Sequence, residues 1–119
     1  MYRPVNYTLA TAGLILALGT AQAHGRLVKT DPAANATVSA PGTIHLEFNE
    51  ELAQKFSTFK LTDTDGNPVA LMSMPSKDAK VLEAMPSSPL PPGIYTVSWT
   101  AVTTDDGHKT TGSYSFTVK

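Results

Sequence analysis

A chain of 119 residues with a formal charge of −1 and no cysteine has room for one small domain, and neither a disulfide framework nor a thiolate metal site can form in it. No run of basic residues is present, which argues against nucleic acid and anionic membranes as partners. Structural zinc, whose closed sites usually use cysteine, is disfavoured for the same reason of composition.

Residues 1–23 read as a secretory signal peptide: Arg3 in a short leading region, an apolar stretch from Leu9 to Leu18, and the small-x-small triplet Ala21, Gln22, Ala23. The apolar stretch is too short to span a bilayer. Cleavage after Ala23 predicts a periplasmic protein of residues 24–119 that begins at His24. A terminal histidine is an unusual ligand, because its α-amine and its imidazole Nδ1 can close one chelate ring on a metal. An internal histidine has that nitrogen tied up as an amide.

Arg26 to Lys29 reads as a first strand, broken by Asp31 and Pro32, with Asn35 in the following turn. Thr43 to Phe48 alternates strictly, with Ile44, Leu46 and Phe48 on one face and His45 turned to water on the other. Ser57 to Thr62 repeats the pattern, and the turn cluster from Asp63 to Pro68 leads to a strand from Val69 to Met72. Val81 to Met85 is a further short strand, and the proline-rich run from Pro86 to Gly93 is irregular. Tyr95, Val97, Trp99 and Ala101 share one face of the next strand, as do Tyr114, Phe116 and Val118 of the last. No segment sustains a 3.6-residue apolar period. About seven short strands without helices predict an all-β fold, a small antiparallel immunoglobulin-like β-sandwich, with Trp99 as core anchor in place of a disulfide.

Between the last two strands lies Thr103, Thr104, Asp105, Asp106, Gly107, His108. In extended backbone the i, i+2 spacing would put the carboxylate of Asp106 and the imidazole of His108 on one side. With the amine and imidazole of His24 they make three nitrogens and one oxygen, a set that suits a tetragonal cupric ion. Binding needs these nitrogens unprotonated, so affinity should fall as pH drops through roughly 8 to 6. Asp-Asp-Gly-His is also an ordinary tight-turn sequence, and a turn without metal stands beside the metal site as a reading of these residues.

The mature chain resembles the CopC/PcoC family of periplasmic copper-resistance proteins, including its YobA-like branch. The resemblance rests on His24, Gly25 and Leu27, on Asp31-Pro32-Ala33, on Leu46, Phe48 and Glu50, and on Phe56-Ser57. It continues through Pro92-Gly93 with Tyr95, Val97 and Trp99, then Asp106-Gly107-His108, and closes with Gly112, Tyr114 and Phe116. It implies Cu(II) bound by His24, Asp106 and His108, with Glu50 near the metal, and an inner-membrane copper protein of the CopD type as partner. Family members with a methionine-rich loop also bind Cu(I) at the other end of the sandwich. Here only Met72, Met74 and Met85 answer to it, with no histidine among them, so they read as strand filler and the chain as the cupric-only type.

Two other function classes fit a small β-sandwich. A lytic polysaccharide monooxygenase-like oxidative enzyme would also use a terminal histidine and a second one, but 96 residues leave little room for a flat polysaccharide-binding face. A metal-free immunoglobulin-like adhesion or carbohydrate module would be indifferent to loss of His24 or His108. The expected role is capture by pre-placed ligands, as carrier or sequestering protein and not as an enzyme.

Overall fold

The computed structural model describes residues 25–119; the expected leader and His24 lie outside the described residues. Among these residues the strands are β1 (Leu27–Asp31), β2 (Thr37–Val38), β3 (Ile44–Phe48), β4 (Thr58–Thr62), β5 (Pro68–Val69), β6 (Leu71–Met74), β7 (Val81–Pro86), β8 (Gly93–Val102) and β9 (Lys109–Val118). One sheet has the order β1-β3-β7-β6 and the other β2-β9-β8-β4-β5. The helical content of the described residues is a single 3-10 turn, Gln54–Phe56. The expected β-sandwich is present, and the two-residue strands β2 and β5 carry the strand count past seven. Every pairing is antiparallel except that of β2 with β9.

Period-2 alternation builds both layers. On β3, Ile44, Leu46 and Phe48 are buried, while His45 and Glu47 are half-buried on the opposite face. With Leu82 and Ala84 of β7 they meet Leu61, Val97, Phe116 and Val118 from the second sheet in one core. Burying each large aliphatic or aromatic side chain contributes about 1.5–3 kcal/mol, enough to hold a small sandwich without disulfides. Trp99 packs against this core, edge-to-face on Phe48 with ring centroids 5.1 Å apart and planes at 76°. Directly opposite Trp99 on β9 is Gly112, where an added Cβ would stand 2.8 Å from indole Cε2. The indole therefore crosses β9 at a position that admits no side chain.

The connection before β8 is tied down by Tyr95, whose buried phenol donates to the Pro91 carbonyl at 2.6 Å. The expected single strand from Val69 to Met72 is divided. Val69 pairs with Leu61 in one sheet and Leu71 with Pro86 in the other, so the chain changes sheets at Ala70.

Tyr114 carries a pH signature of the folded state. Burial, opposed by the Thr30 hydroxyl and joined by the Asp31 carboxylate, pushes its phenol up to about 12. Because the folded pKa lies above the ordinary value near 10, this stabilisation is complete below pH 10 and is lost as pH rises towards 12. Wild-type stability should therefore decline across that window, by less than the roughly 1.4 kcal/mol per pH unit of an unscreened group. Tyr114→Phe should show a flatter decline when both are unfolded in urea at pH 9, 10 and 11.

Candidate metal centre

β8 and β9 form one long hairpin paired from Gly93↔Val118 to Val102↔Lys109, and residues 103–108 are its tip. Thr103 is its base. The Thr103 N–H donates to the His108 carbonyl at 3.1 Å, and the Gly107 N–H donates to the Thr103 carbonyl at 3.1 Å. Gly107 sits at φ 67°, a left-handed conformation that costs other residues about 1–2 kcal/mol. The backbone at Asp106 is a turn and not extended, so the condition set for alternation does not hold. Instead the Asp106 carboxylate folds back on the loop. Its Oδ1 accepts the His108 N–H at 3.0 Å and the Thr103 hydroxyl at 2.7 Å, the Asx geometry in which an aspartate closes its own turn. The Asp106 N–H donates in turn to Asp105 Oδ1 at 3.0 Å.

Both Asp106 and His108 are exposed, while Thr103 beneath them is 2% exposed. Among the described residues no three His, Cys, Asp or Glu side chains converge as a metal set. Asp106 and His108 share the loop, and His24, the third expected ligand, is outside the described residues.

The described chain begins at this loop. Gly25 is buried, its carbonyl accepts the Thr110 hydroxyl at 3.0 Å, and an added Cβ would meet Thr103 Cγ2 at 3.0 Å. Thr103 and Thr110 flank the loop on either side. Next, the Arg26 N–H donates to Asn49 Oδ1 at 2.6 Å and the Arg26 carbonyl accepts the Asn49 N–H at 3.0 Å, a reciprocal latch that extends the β1/β3 ladder. Glu50 is half-buried in the segment that follows. That segment runs along the loop, with Leu52 bridged to Thr103 and the Thr104 N–H donating to the Glu51 carbonyl at 3.1 Å. Sequence reasoning missed Asn49, Thr103 and Thr110. Their partners are 23, 3 and 85 residues away, and no spacing rule joins the first and the last.

The remaining soft donors are elsewhere. Register places Asp31, His45, Glu83 and Met74 side by side across the four-stranded sheet, and Met72 directly opposite Met85. His45 is on the outer face, as alternation predicted, and its Nδ1 lies 2.8 Å from Glu83 Oε2. Met72 is 50% exposed, and none of the three methionines belongs to the buried core. A histidine does share their sheet face, on a strand distant in sequence, and His45 and Met74 line one shallow pocket with Lys29, Asp31, Thr43 and Glu83.

The profile of the CopC domain matches residues 27–119. Copper resistance protein C of Escherichia coli is 40% identical, over 97% of this chain and 98% of that protein. Protein YobA of Escherichia coli K12 is 38% identical, over 98% of this chain and 96% of that protein. The crystal structure of PcoC, a methionine-rich copper resistance protein from Escherichia coli, superposes with a TM-score of 0.75 at 44% identity, covering 82% of this chain and all of that one. Similarity of sequence and of fold along nearly the whole described chain makes it a member of the CopC domain family.

Proposed function

We propose that the mature chain captures Cu(II) in the periplasm with the amine and imidazole of a processed His24, a carboxylate oxygen of Asp106 and the imidazole of His108. The observation that carries this reading is the position of Gly25, held between the two threonines that flank the Asp106–His108 loop. Gly25 thus lies against that loop, which supports a ligand supplied from its N-terminal side. The donor set is borderline nitrogen and oxygen, which suits a cupric ion. Exposure of Asp106 and His108 suits a cargo that must be taken up and passed on, and the relatives' names, copper resistance proteins, support a binding role over an oxidative one. Held copper would serve sequestration or delivery to an inner-membrane copper protein of the CopD type.

The test is a Cu(II) titration followed by EPR on two forms, one beginning at His24 and one with a single Gly added before it. The authentic terminus should give one tight, axial, nitrogen-rich signal. The extended form should bind at least about tenfold more weakly, since an amide replaces the amine. Equal, weak binding by both forms would remove the terminal histidine from the site.

A further inference from the structure

Thr103 touches both halves of the region just described. Its hydroxyl donates to Asp106 Oδ1 at 2.7 Å, its methyl lies where a Cβ added to Gly25 would meet it at 3.0 Å, and its backbone closes the loop through His108 and Gly107. It is 2% exposed, and as a β-branched residue it has few χ1 choices. With the methyl on the Gly25 side, the hydroxyl is the branch that reaches Asp106.

We propose that Thr103 is a positioning residue of the cupric site, its hydroxyl fixing the carboxylate of Asp106 in the orientation that binds metal. This rests on the copper reading above. With Oδ1 accepting two hydrogen bonds, from Thr103 and from the His108 amide, both of its lone pairs are engaged. Without the Thr103 bond the carboxylate loses one of the two anchors on Oδ1, and capture would have to supply part of its orientation. Groups that orient a ligand in this way typically change metal affinity by about 10–100-fold when removed.

The experiment uses the protein beginning at His24, as wild type, Thr103→Val and Thr103→Ser, with Cu(II) affinity from competition titration, EPR of the bound ion and thermal unfolding of the metal-free form. Valine keeps the methyl and the shape but has no donor. Its partner Asp106 is exposed and can turn to water, so metal-free stability should change little. Thr103→Val should bind Cu(II) about 10–100-fold more weakly with altered hyperfine splitting, and Thr103→Ser, which keeps the donor, should lose less than about tenfold. Wild-type affinity and spectrum in Thr103→Val would overturn the proposal, as would a loss in Thr103→Ser equal to that in Thr103→Val. A Thr103→Val protein that no longer folds would assign the hydroxyl to the fold and overturn it too. Failure of the wild type to bind tightly would instead remove the copper reading, and this proposal with it.

Discussion

Replacing His108 with alanine should weaken Cu(II) binding by more than about 100-fold, beyond what loss of an orienting group does, while His45→Ala should leave it within about twofold. The two histidines differ in place and in company. His108 ends the loop that meets Gly25; His45 stands on the outer face of the four-stranded sheet against Glu83. The His108 side chain is exposed, and surface substitutions of this kind usually shift stability by less than about 0.5 kcal/mol. Thermal unfolding of the metal-free variant separates a loss of affinity from a loss of fold. Competition titration reads the affinity, and nitrogen hyperfine structure in the EPR spectrum reads whether an imidazole has left the metal. The reverse outcome, loss in His45→Ala with His108→Ala unchanged, would move the copper to the sheet face that carries Met72, Met74 and Met85. His108→Ala also complements the terminal-glycine comparison, because the two changes alter different nitrogens of the proposed site.

The strands that sequence describes well are those whose alternation is clean. Ile44, Leu46 and Phe48 declare the inner face of β3 without any tertiary knowledge, and Tyr95, Val97 and Ala101 do the same for β8. What alternation hides is pairing. β2 is two residues long and aligns in parallel with the end of β9, too short for alternation to mark it. The segment from Val69 to Met72 looks continuous, yet its halves pair with β4 and β7 in different sheets. No local propensity distinguishes a strand from a strand that changes partner at Ala70. The methionines show the limit of composition. In Leu71-Met72-Ser73-Met74 both faces carry apolar residues, so hydrophobicity does not choose between them. Pairing of Ser73 with buried Ala84 turns Met72 and Met74 outward.

The loop was legible as residue types but not as geometry. Asp-Asp-Gly-His announces a turn, and the turn is there, with Gly107 in the left-handed region. The turn reading and the ligand reading are not exclusive, because the Asx bonds from Thr103 and the His108 amide fall on one of the two carboxylate oxygens. Approach of the N-terminal segment to this loop depends on Asn49 and Thr110, which only the folded register brings to it.

Phe48→Ala should cost about 3–5 kcal/mol of stability, a large part of the roughly 5–15 kcal/mol that holds a domain of this size. Phe48 is 1% exposed, meets Trp99 edge-to-face, and is the β3 partner of Leu27 at the start of β1. Truncation leaves a cavity under an indole that cannot slide away across β9, since Gly112 already lies against it. Urea unfolding should show a lower midpoint with an unchanged slope, and the melting temperature should fall by more than about 10 °C. The next residue, Asn49, holds Arg26, so the variant also loosens the path of the N-terminal segment and should bind Cu(II) more weakly. Metal at 100 times its dissociation constant returns about 2.7 kcal/mol to any folded form that binds it. Copper should therefore raise the melting temperature of Phe48→Ala, but not that of Phe48→Ala combined with His108→Ala. Equal rescue of both variants would mean that the stabilising copper sits away from the hairpin tip. A cost below about 1 kcal/mol for Phe48→Ala alone would mean that Trp99 collapses into the space, and that the indole is not braced by the β8/β9 pairing.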